Sequence, residues 1–596
     1  MTIIETFQSR KIHFQNIAEQ FQKQYNQWAV FRAILFVVVA LVAYFFYEFY
    51  DFAYSLLVLL VGIALFLFSV TKHLKIKYLR DKNRVLSTLN EDEIQRLDNS
   101  FTRSETGEKF IENQHFYASD LDIFGKQSLF KLLNRTHTFD GAKTLANWLQ
   151  HSADTTEILL RQKAIEELSP KIDWRQDLEA SAMLIEEVSE STDKLLAWND
   201  TLANPKINQP LFKFAKFLPY FTIPVLLAWL IGIVPIYFAL ALLIVHGIIL
   251  KQIYDEVTLA LDQTNRIAGA MKAYATLSEL IVEQDFQEEK LQTLKSKIAN
   301  ASTAIRSLED ILNKMANRTN PFFAFVVGVP TLWDILYFTK LENWKENHRE
   351  SLPVWLAVIA EFEALNSLAG YRFANPDFIQ PSLINESVWL KAKALGHPMI
   401  RASKRVSNDI ELVGEGKTII ITGSNMSGKS TFQRTVAINI VLALAGGVVC
   451  AESFECSPLQ VFTSMRSNDS LEEGTSSFYA ELKRLKQLID EVAQEDKNTP
   501  SILYFLDEIL KGTNSKDRHE GARALMLQLH KTSASGFIST HDVELGDEFD
   551  EQDFVKNYSF SSEVINDDLV FDYKLRQGVC HSFNASELMK RIGIEM

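Results

Sequence analysis

Cysteine, glycine and proline are all scarce in this chain of 596 residues. The three cysteines, Cys450, Cys456 and Cys580, cannot staple a chain of this length, and their spacing matches no metal-ligand pattern. The sequence therefore argues against a disulfide scaffold and against a cysteine-based zinc site. With only 23 glycines and 14 prolines, the composition favours long helices over turn-rich β structure.

An excess of positive charge is also absent. The net charge of −14 argues against a protein that coats nucleic acid by bulk charge, although it leaves room for a local basic groove. Hydrophobic residues make up 47% of the chain and charged residues 23%, which excludes a mostly disordered protein. Single hydrophobic cores stop growing near roughly 250–300 residues, so this length predicts at least two domains.

The first apolar region lies near the N-terminus. Ala33–Tyr47 and Phe52–Thr71 contain no Asp, Glu, Lys or Arg, and a membrane span needs about 20 such residues. The first run reaches that length if it starts near Trp28. We therefore predict a transmembrane hairpin over residues 29–71. A secretory signal fits poorly because the run begins late and no A-x-A site follows it. A buried soluble hairpin is the alternative.

The second apolar region, Phe217–Leu250, also lacks these four residue types and is interrupted by Pro224 and Gly232–Pro235. It is too long for one helix across a bilayer, so two passes or a re-entrant hairpin are the alternatives. We predict a membrane hairpin over residues 211–250. The aromatic-rich stretch Phe322–Phe338 contains Asp334 and is predicted to be buried core, with a fifth membrane span as the alternative.

Lysine and arginine set the expected orientation. They flank both hairpins and are missing from the two turns. By the positive-inside rule, all soluble parts should lie in the cytoplasm. We predict a multi-pass protein of the inner membrane.

A phosphate-binding motif follows a short β-branched run, Lys417–Thr422, and precedes an apolar helical pattern. The motif matches G-x-x-x-x-G-K-[ST] and consists of Gly423, Ser424, Asn425, Met426, Ser427, Gly428, Lys429 and Ser430. Strand, glycine loop and helix are the context in which backbone N–H groups and a helix N-terminus close around phosphates. Lys429 is expected to contact the β- and γ-phosphates of ATP, and Ser430 to bind Mg²⁺.

Two further strands carry polar groups at their ends. Ile502–Leu506 reads as a buried parallel strand and is followed by Asp507 and Glu508. Asp507 is expected to hold Mg²⁺, and Glu508 to orient and deprotonate the attacking water. His541 ends another short strand and is a candidate sensor of the γ-phosphate. A solvated acidic turn and a surface histidine are the alternatives.

These motifs resemble those of the MutS family of DNA mismatch-repair ATPases, which are related to ABC ATPases. Thr422–Thr431 reads TGSNMSGKST where the family has TGPNMGGKST, so Thr431 joins the nucleotide-binding set. Asp507–Ser515, DEILKGTNS, is similar to DEIGRGTST. Gly474–Phe478, followed by Glu481, resembles the family signature. Leu129–Leu149 and other upstream segments are similar to the family's helical core, so that the resemblance covers roughly residues 119–596.

The resemblance also has gaps. No segment resembles the family's mismatch sensor, and the apolar stretch stands where the family inserts a DNA-gripping clamp. Leu510 replaces a family glycine after the acidic pair, and Val406 stands where the family often has an aromatic residue that stacks on adenine. By resemblance, the protein is a homodimer in which Ser476 of one protomer reaches the nucleotide bound to Lys429 of the other.

The expected fold class is a multidomain protein with an α-helical core like that of MutS, an α/β P-loop ATPase domain of the ABC type and two transmembrane helical hairpins. The predicted division is an N-terminal cytoplasmic segment at 1–28, a transmembrane hairpin at 29–71, a charged linker at 72–118, the first part of the core at 119–210, the inserted membrane hairpin at 211–250, the second part of the core with its lever at 251–385, and the ATPase domain at 386–596.

The expected function is ATP-gated binding of mismatched or branched DNA at the membrane, with ATP hydrolysis and Mg²⁺ as cofactor. Two alternatives remain. The first is a nucleotide-switched membrane scaffold without DNA binding. The second is an ABC-type transport motor, which the small membrane part and the absence of an LSGGQ signature disfavour.

Overall fold

The computed structural model describes residues 2–112, 114–184, 192–202, 204–264, 268–466, 477–494, 499–565 and 568–580. Within them, an all-helical part is followed by an α/β part. This order confirms the coarse architecture that the sequence predicts.

The chain begins with two long helices, α1 (Ile3–Phe49) and α2 (Phe52–Leu97), which form an antiparallel hairpin. Thr2 and Glu5 form a capping box at the start of α1, and Asp51 caps the start of α2. Both helices continue well past their apolar segments. Residues 72–97, expected as the first part of a charged linker, are therefore helical, because nothing in that segment breaks α2.

Among the described residues, the rest of the helical part contains sixteen shorter α-helices. They are α3 (Leu129–Leu133), α4 (Phe139–Gln150), α5 (Thr155–Leu168), α6 (Ile172–Met183), α7 (Asp193–Asp200), α8 (Pro210–Ala215), α9 (Pro219–Leu230), α10 (Ile236–Lys251), α11 (Tyr254–Thr264), α12 (Ala268–Glu283), α13 (Glu289–Lys297), α14 (Ala301–Ala316), α15 (Pro321–Phe323), α16 (Val329–Thr331), α17 (Trp333–His348) and α18 (Ser351–Ala374). A single π-helical turn, Ala324–Gly328, joins α15 to α16.

Helix α18 is the central element of the helical part. It packs against α4, α5, α6, α12 and α13, and most of its residues are buried. By length and composition, α1, α2 and α18 could each cross a membrane. The apolar window of α18 is 78% buried inside the protein, whereas those of α1 and α2 are 6% and 17% buried. Burial thus makes α18 a core helix, while α1 and α2 leave their apolar surfaces uncovered.

In the portions of the α/β part that the structure describes, there are ten strands and four helices. The strands are β1 (Ser382–Leu383), β2 (Trp389–Leu395), β3 (Asn408–Val413), β4 (Thr418–Gly423), β5 (Ser453–Cys456), β6 (Leu459–Ser464), β7 (Ser501–Asp507), β8 (Ser535–Thr540), β9 (Val555–Ile565) and β10 (Asp568–Gln577). The helices are α19 (Lys429–Ala445), α20 (Ser477–Gln494), α21 (Ser515–Leu529) and α22 (Val543–Glu548).

Two sheets organise these strands. The smaller has the order β1-β5-β2-β3, and the larger has the order β10-β9-β4-β8-β7-β6. In the larger sheet all neighbours pair in parallel except β10 with β9. Parallel strands bring their carboxyl ends to one edge, so the residues that follow β4, β7 and β8 meet there.

A buried charge cluster joins the α1–α2 hairpin to the helical core. Arg135 donates from Nε and Nη2 to Glu93 of α2, at 2.8 and 2.7 Å, and from Nη1 to the Ser367 carbonyl of α18, at 3.3 Å. Arg96 contacts the same carboxylate at 2.7 Å. Burial alone would raise the pKa of Glu93, but Arg135 and Arg96 lower it below its ordinary value. Arg135 therefore links α2 directly to α18.

The second apolar region forms α9 and α10, joined by a turn at Gly232. Many of their side chains are exposed, including Tyr220 at 75% and Leu230 at 73%. The prediction that Phe322–Phe338 is buried core is correct only for its second half. Phe322 and Phe325 are each 76% exposed, because the chain bends by 79° at Leu332 and leaves 321–331 outside the core.

Candidate functional site

The phosphate-loop motif lies between the buried strand β4 and helix α19. Gly423, Met426 and Gly428 all have positive φ, which turns the chain tightly enough for α19 to begin at Lys429. The loop residues line a cavity of about 390 Å³. Its wall also contains Ser430, Thr431 and residues from β3, β9 and β10.

Lys429 is buried beneath this loop. Its Nζ donates to the carbonyls of Gly423 and Ser424, at 3.0 and 3.1 Å, and lies 3.9 Å from Glu508 Oε1. Burial lowers the pKa of Lys429 below its ordinary value. The hydroxyls of Ser424 and Ser427 are buried without a hydrogen-bond partner among the described residues. Two hydroxyls without partners, next to a lysine ammonium, are able to donate hydrogen bonds to the oxygens of a phosphate chain.

Two carboxylates face this loop from the end of β7. Asp507 accepts a hydrogen bond from Ser430 Oγ at 2.6 Å and another from Ser539 at the end of β8. A carboxylate and a serine hydroxyl side by side at the start of a helix are oxygen ligands of the kind that Mg²⁺ takes. The residues present therefore fit a magnesium ion held beside a phosphate chain.

Glu508 follows with φ +50 and is held between two basic groups. Its Oε1 lies 2.9 Å from His541 Nε2, and its Oε2 lies 3.0 Å from Lys511 Nζ. The hydrogen bond from His541, with a contribution from Lys511, lowers the pKa of Glu508 to about 2. His541 Nε2 also lies 2.8 Å from Oδ1 of Asn425 in the loop. The histidine thus touches both the loop and the acidic pair.

The structure brings most of the predicted site residues together. Gly423 to Thr431, Asp507, Glu508 and His541 meet at the carboxyl edge of the larger sheet. Ser476 and the start of its signature lie outside the described residues. Glu481 of α20 is described, and it accepts a hydrogen bond from the backbone N–H of Leu510, close to Glu508.

Sequence reasoning missed three contributors to the site. Ser539 and Lys511 reach Asp507 and Glu508, and Tyr573 of β10 lines the cavity next to Gly428. Tyr573 is placed by Asn408, whose side chain bonds to the carbonyl of Tyr573 at 3.0 Å and to the N–H of Leu575 at 2.9 Å.

The only sequence signals for these three residues were indirect. Ser539 stands at a strand end, and Lys511 stands three residues after Glu508.

His397 lines the other side of the cavity. It is 8% exposed, and burial lowers its pKa to about 4, so the imidazole is neutral at physiological pH. The wall of the cavity beside Val406 thus carries no imidazolium charge.

Comparison with known proteins finds a family match and several relatives. Residues 419–591 match MutS domain V. DNA mismatch repair protein MutS of Natronomonas pharaonis is 30% identical over 321 residues, covering 52% of this chain and 34% of that protein. DNA mismatch repair protein MutS of Chloroflexus aurantiacus is 31% identical over 249 residues, covering 40% and 25%.

DNA mismatch repair protein MutS 2 of Halobacterium salinarum is 26% identical over 320 residues, covering 52% of this chain and 34% of that protein. The matched region thus spans about a third or less of the length of these relatives. These similarities confirm the family resemblance that the sequence motifs predict.

Proposed function

Because the chain is a member of the MutS family, we propose that it is a membrane-anchored ATPase that couples ATP binding and hydrolysis to DNA binding. The observation that carries the proposal is the convergence of Lys429, Ser430, Asp507 and Glu508 at one edge of a parallel sheet. The DNA part rests on the relatives, which are DNA mismatch repair proteins by name.

ATP would bind in the cavity above the loop 423–428. Backbone N–H groups, the hydroxyls of Ser424 and Ser427, and the ammonium of Lys429 would hold its phosphates. Tyr573 offers an exposed ring on the same wall. A ring in this position can contact the base, a role that Val406 cannot fill by stacking.

A magnesium ion would be held by Ser430 and Asp507. When bound, such an ion neutralises charge on the β- and γ-phosphates. Ser430 Oγ donates to one carboxylate oxygen of Asp507, and Ser539 donates to the other. These two hydrogen bonds keep Asp507 oriented towards the loop.

Glu508 would accept the proton of the attacking water. A carboxylate with a pKa of about 2 is a weak base, and His541 and Lys511 are the cause of that low pKa. His541 already touches Asn425 of the loop. A nucleotide that draws His541 towards its γ-phosphate would raise the basicity of Glu508 at the moment when it is needed.

The two apolar hairpins would anchor the protein in the inner membrane with the helical core and the ATPase domain in the cytoplasm. Support comes from the exposed apolar side chains of α1, α2, α9 and α10 and from the lysines and arginines that flank them. The proposed division keeps the core at 119–210 and 251–385 and the ATPase domain at 386–596. Dimerisation through Ser476 is proposed by family resemblance alone.

The test is ATP turnover by the full-length protein in lipid nanodiscs, with no DNA, homoduplex DNA, mismatched DNA or four-way-junction DNA. Glu508→Gln is expected to bind ATP but to lower turnover at least about 100-fold, since general-base groups contribute roughly 10²–10⁴-fold. Glu415→Gln, an exposed change of the same kind in the same part of the chain, is the matched control and should not change turnover.

Stimulation of turnover by one DNA structure, together with a change in its affinity on adding ATP, would support the DNA role. The second candidate is a nucleotide-switched scaffold without DNA binding, which the net charge of −14 and the apolar insertion favour. An active ATPase that ignores every DNA would support that candidate. A protein that binds no ATP would contradict both.

A further inference from the structure

We propose that residues 321–331 form a re-entrant membrane element that dips into the lipid beside the α9–α10 hairpin and contacts acyl chains. This inference rests on the proposed membrane attachment of that hairpin. It adds a third lipid-facing segment that neither the apolar runs nor the family resemblance identifies.

The first observation is the exposure of large apolar side chains on this segment. Phe322 and Phe325 are each 76% exposed and Val326 is 50% exposed. Between Arg318 and Asp334 the sequence contains no charged residue. Exposed aromatic side chains in an uncharged segment are costly in water and favourable in hydrocarbon.

The second observation is continuity with the hairpin. Helix α16 packs against both α9 and α10, so the exposed phenylalanines extend the apolar surface of the hairpin. The segment of 11 residues is about 16 Å long at 1.5 Å per residue. That is roughly half of the 30 Å hydrocarbon thickness, which fits a re-entrant element and excludes a full span.

The third observation is how the backbone carbonyls at the Leu332 end of the segment find hydrogen-bond donors. The helix stops at Leu332, whose φ is +49, and this leaves carbonyls without their usual helical donors. In hydrocarbon such groups need a partner from the protein. Val329 O accepts from the backbone N–H of Leu332 at 3.3 Å and from His246 Nδ1 at 2.8 Å, and Val327 O accepts from Thr331 Oγ1 at 2.6 Å.

His246 is the residue that this element explains. It lies on α10 in the apolar hairpin, it is 0% exposed, and its Nε2 lies 3.0 Å from Thr222 Oγ1 of α9. Because the Val329 carbonyl can only accept, Nδ1 carries the hydrogen. One imidazole thus ties α9, α10 and the segment together, so the three would enter the bilayer as one unit.

The residues that flank the segment on its two sides carry the groups expected at a membrane surface. Arg318 pairs with Asp334 at 3.4 Å and lies over the ring of Tyr254 at 4.9 Å. Trp333 Nε1 donates to the Lys314 carbonyl at 2.7 Å. Aromatic side chains beside basic groups are typical of the interface between hydrocarbon and water.

The experiment places a nitroxide spin label at Phe325→Cys in the full-length protein, in nanodiscs of phosphatidylethanolamine and phosphatidylglycerol. Frequent collisions of the spin label with oxygen indicate that the label lies in lipid. Frequent collisions with a water-soluble nickel chelate indicate that it lies in water. Leu227→Cys on α9 is the membrane reference, and Ser296→Cys on α13 is the water reference. The three native cysteines are buried, so the protein without an added cysteine gives the background.

We expect label 325 to match label 227, with high oxygen and low nickel collision. If label 227 shows lipid contact while label 325 meets nickel, or is shielded from both reagents by a second copy, this inference is overturned and the hairpin attachment stands. If label 227 itself meets nickel, the proposed attachment fails and this inference fails with it.

A pair of substitutions tests the histidine. His246→Leu removes the imidazole donor to Val329 O and leaves that carbonyl the backbone N–H of Leu332. We expect nickel collision at label 325 to rise while label 227 remains protected. His246→Asn keeps an N–H donor near the position of Nδ1 and should preserve the protection at label 325. Equal protection in the two variants would contradict the assigned role of His246.

Discussion

At the scale of single residues, Leu510 has an unusual backbone. It has φ +61, a region that favours glycine, and yet its side chain is 8% exposed in the core cluster beneath β7 and β8. A left-handed backbone costs a non-glycine residue roughly 1–2 kcal/mol, and a buried leucine side chain contributes about 1.5–3 kcal/mol. The packing of the Leu510 side chain therefore offsets the backbone strain at a position where the MutS family has glycine.

This balance predicts an inverted order of substitutions. At Leu510, glycine should be tolerated at least as well as alanine, because alanine loses the packing and keeps the strain. At Leu525 of α21, which is equally buried in the same cluster, glycine should be worse than alanine by about 1 kcal/mol. The measurement is the melting midpoint of the glycine and alanine variants at both positions, in detergent. If alanine is more stable than glycine at Leu510 as well as at Leu525, the proposed balance between strain and packing is wrong.

Glu363 of α18 is a second residue with a special environment. It accepts hydrogen bonds from the backbone N–H groups of His137 and Thr138 at 2.8 and 3.2 Å. Burial nevertheless raises the pKa of Glu363 to about 7. The carboxyl group of Glu363 loses its proton near pH 4.5 in the unfolded chain and near pH 7 in the folded protein. Between these two pH values the folded state therefore binds more protons than the unfolded state.

Stability should therefore fall as the pH rises from about 4.5 to 7 and stay lower above it. Glu363→Gln cannot ionise and keeps both an acceptor and a donor. We expect this variant to melt about 2–5 °C higher than the original protein at pH 8 and at nearly the same temperature at pH 5. A variant that lowers the melting midpoint by the same amount at both pH values would show that Glu363 matters for packing alone.

At the scale of elements, the junction between α2 and α18 depends on Arg135. Removing one partner of a buried pair leaves an uncompensated charge and costs about 3–5 kcal/mol. We expect Arg135→Met to be strongly destabilising, and the loss to be smaller when Glu93→Gln is added, with a coupling of at least about 1 kcal/mol. Melting midpoints of both single variants and the double variant give the coupling, and strictly additive shifts would contradict it.

Elements differ in how far they could be predicted from sequence. The phosphate loop was predictable because its residues are adjacent in the chain and their chemistry is local. Ser539 and Tyr573 were not, because sheet order brings them from strands that follow more than 100 residues later. The helical course of residues 72–97 was missed because its charged residues resemble a solvated face, although Glu93 lies buried against Arg135.

The segment 321–331 was misjudged for a different physical reason. Its uncharged run is too short to span a bilayer and ends at Asp334, which is typical of a core segment. The bend at Leu332 separates the exposed residues 321–331 from the buried residues that follow. A single non-glycine residue with positive φ cannot be recognised from the sequence pattern.

At the scale of the whole molecule, the proposed orientation can be tested by labelling single added cysteines. The three native cysteines are buried and should not react. A membrane-impermeant maleimide applied to spheroplasts should label Tyr50→Cys in the first turn and should not label Ser296→Cys. After permeabilisation both should react. Labelling of Ser296→Cys in intact spheroplasts would place the helical core on the outer side and contradict the predicted cytoplasmic location.

If the two apolar hairpins anchor the protein in the membrane as proposed, they also restrict the symmetry of any pair of protomers. A twofold axis lying in the plane of a bilayer would carry the second protomer's hairpins in from the opposite face. Two copies anchored from the same side can therefore be related only by an axis along the membrane normal. A composite site formed by such a pair would have to close by motion parallel to the membrane, a restriction that does not apply to a dimer free in solution.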